Sequence, residues 1–244
     1  MSFITKIKIF IKNIFDKDLF NTKWTCSACG KEIFGDGYFC KECLAKLPYN
    51  DGNICEHCGR ATKQTEKYCL TCKNRLTAID KGRSSFKYEK PISSLIKGLK
   101  YDKKKYIAEI FSESLSNTYF KNFMSCDVIT FVPMTAKAER KREYNHARLL
   151  AEGLSKRVGV SCEVLLEKTK ETNRQAKLNR SERLKNLDGA FRTVNKKSIK
   201  NKSVLVVDDV TTTGATAETV AEKLKNSGAR EVILLTVASV SVDI

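Results

Sequence analysis

The chain has 244 residues, enough for one domain of average size and a smaller one. It carries 45 Lys and Arg against 28 Asp and Glu, a formal net charge of +17. No run reaches the roughly 18 consecutive apolar residues of a membrane span, and no cleavage site follows an apolar segment near the start. We therefore expect a cytoplasmic protein without stable membrane insertion. In that compartment its ten cysteines favour metal binding over disulfides.

The positive charge is concentrated in one part of the chain. Residues 137–202 contain 19 Lys and Arg against 8 Asp and Glu, a net charge of +11. Such side chains bind nucleic-acid phosphates without reading the base sequence, and the affinity then falls as salt rises. The segment therefore predicts a surface for single-stranded DNA, or loops that bind a phosphorylated substrate.

Residues 1–23 predict an amphipathic helix at the N-terminus. Lysines alternate with apolar residues, and six apolar residues share one helical face: Phe3, Ile7, Phe10, Ile11, Ile14 and Phe15. A basic amphipathic helix can lie on a membrane surface. We favour the alternative, in which the helix docks on the protein's own domains or on a partner.

Residues 24–80 contain four C-x2-C pairs, and the pattern repeats with a period of 29 residues. Two such pairs supply the four thiolates of a tetrahedral zinc site, which leaves no open position for catalysis. The segment therefore predicts a double zinc ribbon with two structural zinc ions. Its ligands are Cys26, Cys29, Cys40, Cys43, Cys55, Cys58, Cys69 and Cys72.

The spacing leaves the pairing of these cysteines open. We favour sequential sites, with the first pair joining the second and the third joining the fourth. A crossed arrangement is the alternative, and free thiols or disulfides are a third. His57 lies beside better ligands and is expected at the surface, whereas Cys126 and Cys162 are expected in the core.

Strands and helices alternate along residues 81–244, which is typical of an α/β fold with a parallel sheet flanked by helices. Apolar patterns predict strands at 84–88, 127–132, 204–207 and 231–237, and helices at 92–100, 106–120, 138–158 and 217–225. Residues 165–191 are too polar for a core strand and long for a loop. Long polar loops of this kind are usually either disordered or functional lids.

The segment 204–216 combines a buried strand, two acids and a threonine-rich turn. Residues 204–207 are all apolar, as in a strand covered on both faces. Asp208 and Asp209 follow at its carboxyl end, where α/β sheets bind ligands. Gly214 lets N–H groups converge at the start of a helix, which makes a site for an anion. Two carboxylates beside such a site suit a sugar phosphate, because they can accept hydrogen bonds from vicinal hydroxyls.

This segment resembles the phosphoribosyl-pyrophosphate (PRPP) motif of type I phosphoribosyltransferases, through its apolar run, acid pair and T-T-G-A-T. Neither a P-loop nor a dinucleotide fingerprint occurs in the chain. The resemblance implies a type I phosphoribosyltransferase fold, with Asp208 and Asp209 on the ribose hydroxyls and an associated Mg²⁺ ion. The PRPP loop, which would hold the 5′-phosphate, comprises Val210, Thr211, Thr212, Thr213, Gly214, Ala215 and Thr216.

With the cysteine repeat included, nearly all of the chain after residue 24 resembles the ComF family of competence-associated phosphoribosyltransferase-like proteins. The family's R-x-R-G-F-N-Q is matched with its Gly and Gln replaced, at Arg140, Lys141, Arg142, Glu143, Tyr144, Asn145 and His146. The family's Q-x-x-L-x-x-x-x-R-x-x-N-x-x-x-A-F is matched at Gln175, Leu178, Arg183, Asn186, Ala190 and Phe191. His146 is either a helix-surface residue or a ligand contact.

The resemblance implies transfer at the anomeric carbon of PRPP with departure of pyrophosphate. Bases that follow a strand end form a second anion site, so the pyrophosphate would face Arg140, Lys141 and Arg142. A lid would close over the site and exclude water. The lid would contain Arg174, Gln175 and Arg183.

Two functions remain open at the level of the sequence, and a third alternative is that the zinc domain is a scaffold on which partners dock. The first is an enzyme that transfers phosphoribosyl from PRPP to an acceptor that the sequence does not name. The second is a protein associated with DNA uptake that handles single-stranded DNA, with PRPP as a ligand and proteins of the competence machinery as partners. The two functions are compatible with each other.

Overall fold

The structure is a computed structural model, and it describes residues 25–34, 37–62, 67–74, 77–172, 187 and 189–241. The chain divides into two compact units, Met1–Leu47 and Pro48–Ile244. The predicted N-terminal helix lies outside the described residues. Among the described helices, none has the length and apolar character needed to cross a lipid bilayer.

Each unit contains one cysteine cluster built on a tight turn. In the first unit, the turn at Gly30 precedes a short helix, α1 (Lys41–Ala45). In the second unit, the turn at Gly59 precedes α2 (Leu70–Lys73). Both glycines have a positive φ, 75° and 70°, a conformation that other residues adopt only with strain.

The core of the second unit is a four-stranded parallel sheet. Its strands are β1 (Lys81–Lys87), β2 (Val128–Phe131), β5 (Ser203–Thr211) and β6 (Glu231–Ser239). Their order in the sheet is β1-β6-β5-β2. The helices around them are α3 (Ile92–Tyr101), α4 (Ile107–Lys121), α5 (Ala136–Arg142), α6 (His146–Val158) and α7 (Ala215–Asn226). A 3-10 helix, Lys196–Ser198, precedes β5. The predicted α/β fold with a parallel sheet is confirmed.

The two central strands are apolar because both of their faces are covered. Val204 and Val206 of β5 belong to one hydrophobic core with Val220 and Leu224 of α7. The alternating Leu205 and Val207 are fully buried as well, which places them in a core on the opposite face. Residues 204–207 therefore show no alternation of polar and apolar residues because both faces of the sheet are covered.

The strand predicted at 204–207 extends further, to Thr211. Asp208 pairs with Thr236, and Val210 pairs with Ala238, in the parallel register with β6. Backbone pairing continues past Val207 because β6 extends to Ser239, which pairs with Thr211. The acid pair therefore lies within the rigid end of a central strand and not in the turn after it.

The prediction of a single helix over residues 138–158 is wrong. The first helix, α5, ends at Arg142, and Glu143 has a φ of 70°, a left-handed conformation that ends a helix. Asn145 then caps α6, since its side-chain oxygen accepts hydrogen bonds from the amides of Ala147 at 2.9 Å and Arg148 at 3.3 Å. The break changes the direction of the chain between the basic residues at the end of α5 and His146 at the start of α6.

The interpretation of residues 165–191 as too polar for a strand is wrong at the two ends of the segment. Strands β3 (Leu166–Lys168) and β4 (Phe191–Thr193) pair in an antiparallel ribbon. Leu166 and Phe191 are buried in the core that also contains residues of α7, so both strands of this ribbon contribute to the core. The predicted lid residues Arg174, Gln175 and Arg183 lie outside the described residues.

The contact between α4 and α6 depends on Gly153. A Cβ atom at this position would lie 2.1 Å from Ser112 Oγ and 2.7 Å from Ser112 Cβ. We predict that Gly153→Ala lowers the free energy of unfolding by about 1–3 kcal/mol through overpacking, although alanine is the better helix former. Urea unfolding measures the effect.

Two further variants test this explanation. The double variant Gly153→Ala/Ser112→Gly removes the clashing side chain and should recover much of the stability. Lys156→Ala, on the exposed side of the same helix, should have little effect. An unchanged stability in Gly153→Ala would contradict the close packing of the two helices.

Candidate functional site

The candidate site lies at the carboxyl end of β5, where the PRPP loop turns into α7. Gly214 has a φ of 75° and caps the helix, and its carbonyl accepts a hydrogen bond from the amide of Glu218 at 2.9 Å. The first N–H groups of an α-helix have no carbonyl partner within the helix, so this end attracts anions. A hollow at this position is lined by Asp208 and by every residue from 210 to 217. The structure therefore brings all the predicted phosphate-binding residues together.

Asp209 is buried, with 4% of its surface exposed, and it is surrounded by cations and donors. Its Oδ2 atom pairs with Nζ of Lys100, and its Oδ1 atom accepts a hydrogen bond from the amide of Val210 at 2.8 Å. Burial disfavours the charge, but Lys100 and then His146 outweigh burial and hold the pKa of Asp209 well below its usual range. Asp209 is therefore ionised at neutral pH.

Asp208 has the opposite electrostatics. Its Oδ1 atom accepts a hydrogen bond from the amide of Asp209 at 2.8 Å. Burial, followed by repulsion from the charge of Asp209, raises the pKa of Asp208. The pair thus combines one firmly ionised carboxylate with one whose ionisation a nearby cation would favour.

The structure places His146 against Asp209 and not on the helix surface. His146 is buried, and its Nε2 atom lies 3.6 Å from Asp209 Oδ2. Its Nδ1 atom lies 3.2 Å from Nη1 of Arg142. Arginine is only a donor, so Nδ1 accepts, and the proton of a neutral imidazole is on Nε2, facing Asp209.

Sequence reasoning missed Lys100. It is the ninth residue of α3, four residues after Ile96 and eight after Ile92, both of which are fully buried. A residue at this spacing lies on the same helical face as the two isoleucines. The signal was therefore present, because a lysine on the apolar face of a predicted helix calls for a buried partner.

A cavity of about 500 Å³ adjoins the acid pair and carries mainly positive side chains. It is lined by Lys100, Tyr101, Lys103, Lys137, Ala138, Lys141, Arg142, Tyr144 and Glu171. Lys100 belongs both to this lining and to the ion pair with Asp209, so one side chain links the cavity to the acids. The cavity suits a polyanion.

The predicted pyrophosphate-binding residues do not all line this cavity. Lys141 and Arg142 line the cavity, whereas Arg140 is exposed and is not part of the lining. The guanidinium of Arg142 also lies 5.1 Å from the ring centroid of Tyr101, a cation–π distance. Because α5 is a helix, consecutive side chains leave it in different directions, so Arg140 need not share the position of its two neighbours at the cavity.

Two groups of residues have the donors that a zinc ion requires. The cysteines form the clusters Cys26, Cys29, Cys40, Cys43 and Cys55, Cys58, Cys69, Cys72, with all ligand atoms in each within 4.8 Å of one another. Four thiolates at 2.3 Å around a zinc ion lie about 3.8 Å apart, and the sulfurs of Cys58 and Cys69 are 3.9 Å apart. The sequential pairing is confirmed, and the crossed alternative is wrong.

A third group with metal-binding donors is the acid pair with its histidine. The ligand atoms of His146, Asp208 and Asp209 also lie within 4.8 Å of one another. Two carboxylates are the oxygen donors that Mg²⁺ prefers. The residues at the end of β5 are therefore compatible with a divalent cation beside the PRPP loop.

The matches to known proteins cover both parts of the chain. Residues 144–243 match the model of the phosphoribosyl transferase domain, and residues 19–75 match that of the double zinc ribbon domain. Competence protein F of Haemophilus influenzae is 27% identical over 85% of this chain and 86% of its own length. The resemblance to the ComF family is confirmed.

Further relatives carry related names. DNA utilization protein YhgH of Escherichia coli is 28% identical over 79% of this chain and 93% of its own length. Competence protein ComFC of Streptococcus pneumoniae is 27% identical over 81% of this chain and 86% of its own. Among solved structures, a hypoxanthine phosphoribosyltransferase from Staphylococcus aureus covers 57% of this chain and 69% of its own, at 15% identity and a TM-score of 0.36.

The ion pair between Lys100 and Asp209 generates a prediction about stability. Lys100→Met leaves a buried carboxylate without its cation and should lower the free energy of unfolding by about 3–5 kcal/mol in urea. The double variant Lys100→Met/Asp209→Asn removes both charges and should be markedly more stable than the single variant. Lys121→Met breaks an exposed pair with Asp51 and should change little. Equal effects of the two single substitutions would contradict the burial of the pair.

Proposed function

We propose that the protein binds PRPP at the carboxyl end of β5 and transfers its phosphoribosyl group with release of pyrophosphate. The observation that carries this proposal is that the Lys100–Asp209 ion pair links two anion sites of different kind. Asp208 lines the hollow of the PRPP loop, its neighbour Asp209 pairs with Lys100, and Lys100 lines the cationic cavity. PRPP carries a phosphate at one end, a diphosphate at the other and ribose hydroxyls between them.

Each part of the ligand then has a partner of matching chemistry. The hollow lined by residues 210–217 would take the 5′-phosphate, and Asp208 and Asp209 would accept hydrogen bonds from the ribose hydroxyls. Lys141 and Arg142 would take the pyrophosphate. In the reaction, the bond from the anomeric carbon to pyrophosphate breaks, a bond from that carbon to the acceptor forms, and the acceptor loses a proton.

The residues at the acid pair also fit the Mg²⁺ ion that would accompany PRPP. Asp208 and Asp209 offer the oxygen ligands, and a bound cation would oppose the burial and the charge of Asp209 that raise the pKa of Asp208. When bound, the ion supplies positive charge against the departing pyrophosphate. Positive charge developing on the ribose ring would be stabilised by the carboxylate of Asp209, which stays ionised.

Calorimetry with PRPP and Mg²⁺ tests the proposal. We expect the wild type to bind and the variant Asp208→Asn/Asp209→Asn to bind at least 100-fold more weakly, because two charge-assisted hydrogen bonds are removed. Asp51→Asn changes an exposed acid outside the cavity and should bind like the wild type. Pyrophosphate release should then depend on the acceptor when a panel of nucleobases is added.

The result that would overturn the binding site is a wild type that does not bind PRPP. Binding without pyrophosphate release, for any acceptor, would instead reduce the proposal to a PRPP-binding protein without transferase activity. Circular dichroism of the double variant would show whether it is folded, since this variant also removes the partner of Lys100.

A second function, the handling of single-stranded DNA, is supported by an exposed aromatic residue among the cations. Tyr101 is 59% exposed at the cavity, together with Lys103 and Lys137. Bases stack on such rings while lysines bind the backbone phosphates. The names of the relatives refer to competence and DNA utilization, and proteins of the competence machinery are the partners that this function would require. A DNA strand could occupy this face whether or not PRPP is turned over.

Charge reversal at the cavity should weaken DNA binding. We predict that Lys137→Glu/Lys141→Glu lowers the affinity for an oligothymidine and reduces the slope of log K against log salt by roughly 0.7 for each phosphate that the variant no longer binds. Tyr101→Ala should cost about 1–3 kcal/mol, the stacking energy of one base. Fluorescence anisotropy over a salt series measures both effects.

The matched control is Lys196→Glu/Lys197→Glu, which makes the same change of charge on exposed residues of the 3-10 helix before β5. If this control weakens DNA binding as much as the cavity variant does, the net charge of the protein is responsible and not the cavity.

A further inference from the structure

The second zinc cluster is in backbone contact with the sheet. The amide of Gly82, in β1, donates a hydrogen bond to the carbonyl of Glu56 at 2.6 Å. A Cβ atom on Gly82 would lie 2.5 Å from the carbonyl oxygen of His57, and one on Gly59 would lie 2.6 Å from the amide nitrogen of Arg83. Two glycines therefore let the C-x2-C turn approach β1 more closely than side chains allow.

Arg60 extends from this cluster to the PRPP loop. Its side chain is buried, and the residue is 7% exposed. Nε lies 3.3 Å from Cys58 Sγ and Nη2 lies 4.0 Å from Cys69 Sγ, while Nη1 donates to the carbonyl oxygen of Thr212 at 2.9 Å. One guanidinium thus joins two predicted zinc ligands to the middle of the loop.

The carbonyl of Thr212 matters because of peptide geometry. The bond between Thr212 and Thr213 is trans. In a planar trans peptide the C=O and the next N–H point in opposite directions. By holding the Thr212 carbonyl, Arg60 turns the N–H of Thr213 away from the zinc cluster, and Thr213 lines the hollow of the PRPP loop.

The helix after the loop is held by the end of the same zinc ribbon. Glu218, in the first turn of α7, is 4% exposed. Its carboxylate accepts hydrogen bonds from Thr77 Oγ1 at 2.7 Å and from the amide of Ala78 at 2.6 Å. The zinc ribbon therefore holds the PRPP loop at the carbonyl of Thr212, and it holds the helix after the loop at Glu218.

We propose that Arg60 is a positioning residue that makes the second zinc site a structural part of the phosphate cradle. Zinc holds Cys58 and Cys69 in place, these thiolates hold the guanidinium, and the guanidinium sets the orientation of the Thr212–Thr213 peptide. The inference rests on the proposed binding of PRPP and adds that occupancy of the second zinc site sets its affinity.

The cysteine repeat supplies a matched control for Arg60. Lys31 occupies the equivalent position in the first repeat, 29 residues earlier, and its carbonyl accepts the equivalent hydrogen bond, from Cys26 at 2.7 Å. Lys31 is exposed, whereas Arg60 is buried. Lys31→Met and Arg60→Met therefore remove a cation from the same place in two similar turns.

The test measures zinc content, ligand affinity and hydrogen exchange in the full-length chain. We expect Arg60→Met to keep two zinc ions, to bind PRPP and ribose 5-phosphate about tenfold more weakly, and to bind pyrophosphate like the wild type. Amides of residues 211–216 should exchange faster in this variant without any ligand. Lys31→Met should match the wild type. Arg60→Lys keeps the positive charge but not the branched guanidinium, so its PRPP affinity and loop exchange should lie between those of the wild type and Arg60→Met.

A second pair of variants tests the role of zinc itself. Cys72→Ser and Cys43→Ser alter the fourth cysteine of each cluster, whereas Arg60 is bonded to Cys58 and Cys69. Each variant should lose one zinc ion, but only Cys72→Ser should weaken PRPP binding and speed exchange in the loop.

The outcomes separate this inference from the proposed function. If the wild type does not bind PRPP, the proposed function fails, whereas the exchange data still report on the link between Arg60 and the loop. Unchanged loop exchange and unchanged PRPP affinity in Arg60→Met, with both zinc ions retained, would overturn the role of Arg60. Equally weakened binding of PRPP and pyrophosphate would also overturn it, because this result indicates general damage to the fold.

Discussion

The buried charge of Asp209 is the constraint on which the rest of the site depends. An ionised carboxylate with little access to water is tolerated only next to cations and donors. Lys100 comes from the helix that follows β1, and His146 comes from the second helix after β2. Three strand and helix units must therefore converge before this charge is stable, and their convergence also aligns the cationic cavity with the PRPP loop.

The two acids differ in how their charges are balanced. The charge of Asp209 is already balanced by Lys100 in the free protein, whereas Asp208 is held next to that charge and its pKa is raised. A cation bound beside Asp208 would therefore favour its ionised form.

The two cysteine clusters show how similar local sequences acquire different roles. Both repeats form a turn with a glycine of positive φ and the same backbone hydrogen bond across it. Only the second repeat lies in the compact unit that contains the sheet, and only there is the residue after the glycine buried. The second repeat therefore gains its contact with the PRPP loop from the buried arginine after its glycine and not from its cysteines.

Local patterns in the sequence were sufficient to predict the zinc ligands, the buried strand that contains Asp208 and Asp209, and the turn into α7. Each of these depends on residues that are close along the chain, where spacing limits the geometry. The break at Glu143 was missed because a left-handed residue other than glycine leaves little trace in an apolar pattern.

The partners of the site were decided by the tertiary structure. Arg60 and Thr212 are 152 residues apart, and Lys100 is more than 100 residues from Asp209. No periodicity connects such positions, since it records which face of an element is buried and not what that face meets. The sequence by itself therefore determined which chemical groups are available, whereas the packing of helices and the zinc ribbon on the sheet decided which of them act together.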